Sequence, residues 1–428
     1  MAFSIGNVSL NTPDSIYKAI DASSAKVFGV KFYKNGTDGS QWQGERLYSA
    51  KNLQFTPSTY STTGVDEFCK YSPFNQKICA TKYNSTSGKQ EVMTYSTESD
   101  YATAVADAES NIMVEFPKFW YLRPSKYEFL VSDSPIEGFL PSPMHYRNEV
   151  MYDKVYVSKY ELNHLYHSKS GQRGTYQWQQ ETGGTSGNGF NSGSSTVQTS
   201  QIHRTELRKK GMYVLDYASY CAILMLGLVK YGTLNWKTFI GYGNCRSATS
   251  SSGILSTGGA DSITTLDGGS TTDQTHAVLS FGIENLWGNT WKSIEGICQA
   301  GGYLYINTDI ENLTNWPDSS MTGWTKCGQA MSTNTSSGTT YQYISDMAYS
   351  SDFPWAMWDV ATTTDATSSK VPDACWYDAG TTSAPKKIYT GGSAVNSSCV
   401  GPFTFAANGA LANAFWDYGV FAQSLAKP

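Results

Sequence analysis

Apolar and polar positions alternate along several short stretches of this chain, and one longer stretch is apolar on nearly every side. "AKVFGVKFY" (25–33) has strand character and runs into the turn-like "KNGTDG". "IMVEFPKFWYL" (112–122) alternates before Pro117, which predicts a strand with an edge or bulge at the proline. "KVYVSKYELN" (154–163) predicts another strand passing into a polar turn or helix start, and "YATAVADAESN" (101–111) a short helix. The strongest helix signal is "DYASYCAILMLGLVKYG" (216–232). Asp216 suits the N-cap, because its carboxylate can accept a free first-turn amide. Tyr217, Tyr220, Cys221, Leu224 and Leu228 share one face, and Ile223, Met225 and Leu226 widen it, so most of the helix should be buried. Lys230 suits the negative end of the helix dipole, and Gly232 is a natural stop. "ETGGTSGNGFNSGSST" (181–196) and the stretch 247–274 lack periodicity and predict long loops. Two such loops argue against an ordinary sandwich or doubly wound sheet. They suit a scaffold whose function sits in insertions.

Length and composition sharpen this picture. The chain has 428 residues, room for two or three domains, and 14% of them are aromatic, which supports a real core. Only 16% are charged, against about 25% in an average soluble protein. Gly, Ser, Thr and Asn fill the gap, so solubility should come from neutral polar groups. The net charge of −5 and the scattered basic residues exclude long-range attraction to nucleic acid. No stretch approaches the roughly 18 apolar residues of a membrane span, so no membrane insertion is expected. "MAFSIGNVSL" lacks a basic region followed by a long apolar run, so no secretory signal is expected. Eight cysteines are scattered without a CxxC. Cys69 and Cys79 are spaced to pair across a short loop, but free thiols are the default expectation without an export signal. Neither a bound metal nor a cofactor is expected from so few clustered ligands.

The most specific short stretch is "FGIENLWGNTWKSIEGI" (281–297). Trp287 and Trp291, four apart, either share a helical face or flank a turn at Gly288-Asn289 that packs them in a corner. Glu284 and Asn285 are suited to capping or cross-linking backbone, and the stretch is read as structural. No second carboxylate or nucleophile motif matches Glu284 and Glu295, so no catalytic residues are assigned.

Taken together, "VKYGTLNWKTFIGYG" (229–243), "GIENLWGNTWKSIEG", "VEFPKFWYL" and "SDSPIEGFLPSPMHYRN" (132–148) resemble the C-type-lectin-like domains of phage and prophage tail proteins. They also resemble the related fold of formylglycine-generating enzymes. The resemblance covers roughly residues 112–428. It implies an α+β, C-type-lectin-like fold with long inserted loops over 111–428, preceded by a small β-rich attachment or oligomerisation module over 1–110. The end of the chain, "IYTGGSAVNSSCVGPFTF" and then "ANAFWDYGVFAQSL", resembles the C-terminal region that a diversity-generating retroelement rewrites in some of these proteins. The variable region would span 374–425.

By that resemblance, Gly391, Gly392, Gly401, Phe403, Gly419 and Leu425 are frame, as are Gly282, Glu284, Asn285, Trp287, Gly288, Asn289 and Trp291 in the central motif. Asn396, Ser397, Ser398, Asn408, Asn413, Phe415, Trp416 and Asp417 are the expected ligand-contacting positions, with Trp376, Tyr377 and Asp378 of "ACWYDAG" beside them. The implied function is receptor binding or adhesion at a phage tail tip or fibre. The implied partners are a host cell-surface glycan or protein, other tail components and two further copies in a homotrimer. The implied locations are the virion and the bacterial cytoplasm where it is made. Rigid Tyr and Trp contact area with adaptable Ser and Asn suits recognition independently. Three other readings compete: a structural tail or baseplate part, a formylglycine-generating-type oxidoreductase, and calcium-dependent sugar binding with Asp261, Asp267 or Asp273 supporting loops. Cys327, Cys375 and Cys399 match no reactive cysteine motif, and the usual calcium-ligand signatures are absent.

Overall fold

The computed structural model describes residues 13–34, 42–163, 165–172, 199–313, 320–332, 342–367, 369–377, 384–409 and 417–426. The loop expected over 181–196 lies outside them. The fold is mixed α+β with several sheets.

The helix expected over 216–232 forms as Tyr217–Tyr231. Asp216 accepts from the Ser219 amide at 2.8 Å, and Gly232 ends the helix at φ 67°. All fifteen helical residues are buried. A helix satisfies its own backbone, so it can be buried on every side if its side chains are apolar. It packs against strands Val27–Lys34 and Glu128–Ser132 of one sheet and against strand Trp291–Ala300 of another.

The first of these sheets is antiparallel throughout, in the order Leu140–Pro141, Trp120–Ser125, Glu128–Ser132, Val27–Lys34, Trp42–Tyr48. The second has nine strands, with Trp291–Ala300 between Tyr303–Ile306 and Lys386–Thr390. Phe405–Gly409 follows, parallel to Val371–Tyr377, and Tyr418–Val420 runs parallel to the start of Trp291–Ala300. A third, six-stranded sheet runs Tyr213–Val214, Ala422–Leu425, Lys154–Ser158, Ser110–Pro117, Lys77–Asn84, Lys89–Tyr95. Its pairings run across position 110, since Lys77–Asn84 hydrogen-bonds to Ser110–Pro117. The end of the chain is itself an interior strand of this sheet.

One expectation needs correction. Ser110–Pro117 is neither an edge strand nor bulged at the proline. It lies between two partners and is buried on both faces up to Phe116. Pro117 is tolerated because it is the strand's last residue, where the missing donor interrupts no further ladder.

Lys230 does more than complement a helix dipole. Its ammonium is fully buried, 2.7 Å from both Asp66 Oδ2 and Asp267 Oδ2. Burial alone would push it toward neutrality, but the carboxylates of Asp267 and Asp66 outweigh that and hold its pKa above the usual lysine value. Asp267 also accepts from the Tyr231 hydroxyl and, at 2.7 Å, from the Phe281 amide. Arg46 reaches the same place, donating to the Lys230 carbonyl at 2.6 Å. The cluster ties the N-terminal segment and the long loop to the end of the core helix. Asp267→Ala is expected to lower the unfolding free energy by about 3 kcal/mol, because it leaves the buried Lys230 with one carboxylate in place of two and strips the buried Phe281 amide of its acceptor. Urea denaturation checks this, and a loss below about 1 kcal/mol would show that the cluster is not a structural tie.

Candidate functional site

The central motif is a packed corner, not a helix. Leu279–Ser280 and Ile283–Glu284 form a short hairpin through Phe281 and Gly282, and the chain turns again at Gly288 (φ 74°) and Asn289 (φ 62°) before entering strand Trp291–Ala300. At Gly288 a Cβ would also stand 2.9 Å from the Asn244 amide nitrogen, so side chains are excluded twice over. Trp287 is fully buried, donates its indole N–H to the Gly241 carbonyl at 3.0 Å, and meets Trp236 edge-on.

The polar residues of the motif serve buried backbone. Glu284 accepts from the amides of Gly258 and Ala260, both at 2.8 Å, which pins the loop 247–274. Burial pushes its carboxyl up to about 7 against the pull of those two amides. Asn285 pairs through its backbone amide with the Val278 carbonyl at 2.7 Å. Asn289 Oδ1 accepts from Asn244 Nδ2 at 2.9 Å and from the Leu255 amide at 2.8 Å, while its Nδ2 donates to Glu161 at 2.9 Å. Glu161 also takes the Thr290 hydroxyl at 2.7 Å and faces Lys292 at 3.5 Å. Glu295 is held by Arg204 through two N–H bonds of 3.0 and 2.9 Å. Both glutamates of the motif are therefore spent on structure.

The C-terminal segment separates into frame and remainder. A Cβ on Gly391 would lie 2.7 Å from the Leu286 carbonyl, on Gly392 2.4 Å from Val400 Cβ, on Gly401 2.4 Å from Asp373 Oδ1, and on Gly419 2.2 Å from Thr290 Oγ1. Phe403 is core, with its ring edge-on to Trp236, and Leu425 is buried.

Several expected contact positions are frame as well. Asn396 closes a turn, its Oδ1 accepting from the Ser393 amide at 2.9 Å. Asp417 is 8% exposed and accepts from the Ser393 hydroxyl at 2.8 Å, and its carbonyl takes the Trp291 amide at 2.7 Å. Burial raises its carboxyl above the usual range, against the Ser393 bond. Tyr377 is buried in the main core. Trp376 is half-buried and T-stacked on Trp291 at 5.5 Å. Surface remains at Val395, which is exposed, and at Ser397 and Ser398, which are half-buried. Asn408 lies in strand Phe405–Gly409; Asp378, Asn413, Phe415 and Trp416 lie outside the described residues.

The carboxylates weighed as calcium supports have protein partners. Asp261 takes Lys159, Tyr160 and Ser170; Asp267 takes Lys230, Tyr231 and the Phe281 amide; Asp273 takes Ser270, Thr275 and His276. They do not converge, and no group of three potential metal ligands occurs among the described residues. All eight cysteines are free, which corrects the alternative pairing of Cys69 with Cys79. Burial pushes the Cys245 and Cys327 thiols up to about 12 and Cys375 well above its ordinary value, which opposes thiolate chemistry.

Sequence reasoning missed an open cleft of about 760 Å³, including its mouth. Its aromatic lining is Tyr121, Tyr146, Phe353 and Trp355, and Pro141, Pro143 and Pro354 extend the apolar wall. Arg147 also lines it, 2% exposed, with Nη2 donating to Asp216 at 2.8 Å and to Ser219 at 3.0 Å. The signal was present in "LPSPMHYRN" and "DFPW", but these are distant in sequence and only the fold joins them.

No protein-family model matches the chain, and no curated protein matches it either.

One buried acid near this region makes a pH prediction. Asp359 is fully buried, and beyond the neighbouring Cys375 thiol its carboxylate has no side-chain hydrogen-bond partner among the described residues. Burial raises its carboxyl to about 8. The unfolded chain therefore releases this proton near pH 4 and the folded chain only near pH 8. Asp359 stabilises least above pH 8, and its contribution falls as pH rises from 4 to 8. Asp359→Asn is expected to flatten that dependence and to raise stability at pH 8. Thermal melts of both proteins across this range check it, and parallel pH profiles would refute it.

Proposed function

We propose that this chain is a receptor-binding or adhesin protein of a phage tail, acting through a C-type-lectin-like domain whose C-terminal segment meets a host cell-surface ligand. The observation that carries the reading is the division within that segment. Its glycines sit where no Cβ fits, its Asn396 and Asp417 fix turns, and the side chains of the intervening Val395, Ser397 and Ser398 make no hydrogen bond among the described residues. A rigid backbone carrying a few neutral, replaceable side chains suits recognition, because little entropy is lost on binding. Assembly as a homotrimer would multiply weak single contacts.

Val395→Asp and Ser397→Arg are expected to abolish binding of the purified protein to host cells. They should leave the melting temperature within about 2 °C, since such surface changes cost under about 0.5 kcal/mol. Retained cell binding by both variants would remove the segment from the contact surface. Trp376→Ala is a poor probe of binding, because its packing on Trp291 makes a fall in stability the expected result. Diversification has a separate test in the coding DNA: a nearby near-copy of the 3′ segment, differing at adenines, would establish it.

A further inference from the structure

We propose that the aromatic and proline-walled cleft is a binding site for a neutral sugar, separate from the C-terminal segment. None of the described residues of 374–425 lines it.

The walls are held in place before any ligand arrives. Trp355 is fixed edge-on between Tyr217, at 5.6 Å, and Phe353, at 5.7 Å. Tyr217 in turn donates its hydroxyl to the Met357 carbonyl at 2.7 Å, which locks the segment carrying Trp355 to the core helix. Phe353 is half-buried, so it keeps ring surface for a ligand. Rigid aromatic surface suits the apolar C–H faces of a sugar ring, with little entropy to lose.

The polar lining supplies both donors and acceptors. Arg147 is almost wholly buried, and its Nη1 makes no hydrogen bond to the protein among the described residues. Asp352 is exposed, and its carboxylate has no hydrogen-bond or ion-pair partner among the described residues. Asn148 gives its Nδ2 to Asp309 at 2.8 Å, leaving Oδ1 as an acceptor. A polyol matches such a mixture, because each hydroxyl both donates and accepts.

Charge narrows the class further. The Arg147 guanidinium is already neutralised by Asp216 at 2.8 Å, and the unpaired Asp352 opposes an anionic ligand. A quaternary ammonium would also find aromatic rings and Asp352, and the choline arm of the test separates it from a sugar.

The test is titration of the whole protein with glucose, galactose, N-acetylglucosamine, maltose and cellobiose, with N-acetylneuraminic acid and choline as charged arms. Calorimetry reads the affinity. Saturable binding of at least one neutral sugar is expected. Tyr146→Ala and Phe353→Ala should weaken it about tenfold or more, as loss of an aromatic contact does. Asp352→Asn, an exposed change with no packing to lose, should weaken it too, and Leu165→Ala on the outer surface should not change it. Circular dichroism melts keep folding separate from binding. No saturation by any neutral sugar, saturation only by choline or N-acetylneuraminic acid, or sugar binding untouched by all three cleft variants would each overturn the proposal. No cells enter this experiment, so its failure leaves the attachment reading standing, and the reverse holds as well.

Discussion

Complete burial of the helix Tyr217–Tyr231 is the constraint on which the other elements depend. A helix apolar on every side has no face to give to water, so cover must arrive from several directions. The five-stranded sheet supplies one side and Trp291–Ala300 another, and both sheets draw strands from distant parts of the chain. The exception inside this apolar surround is Lys230. Its charge is tolerable only because Asp66 and Asp267 come to it, and those two residues bring the N-terminal segment and the long loop with them. One buried ammonium thus decides where two otherwise loosely specified segments sit.

The same physics accounts for the central corner. Loops packed against a core carry backbone groups that water cannot reach, and each needs a partner. Glu284 and Asn289 provide those partners from the inside, and Glu161 holds the Asn289 side chain in place. Residues that look like chemistry in the sequence are here the equivalent of secondary-structure hydrogen bonds for chain without regular structure.

What could be read from the sequence was local. The helix and both of its caps followed from residues within a few positions of one another, and so did the turn at Gly288-Asn289, one of two readings left open for that motif. The strand 154–158 and the short helix 101–106 were legible for the same reason. What was not legible was long-range. Nothing near Ala422–Leu425 announces that it will lie beside Lys154–Ser158, in a sheet that also holds Lys77–Asn84. A separate module over 1–110 was expected, and the hydrogen bonds of Lys77–Asn84 run across that boundary. Pro117 was misjudged because position within a strand matters more than the presence of proline. The cleft was invisible because its two walls meet only through the fold.

Asn396 and Asp417 sharpen what a variable segment can be. Both are polar, both sit between framing glycines, and both resemble display positions by residue type. In the fold each satisfies Ser393, one through the backbone amide and the other through the hydroxyl. A replacement at either position must therefore keep a hydrogen-bond acceptor or lose the turn that places Val395, Ser397 and Ser398. Variation at 396 and 417 would be filtered by folding before any ligand could select it, whereas variation at 395, 397 and 398 would reach the ligand directly.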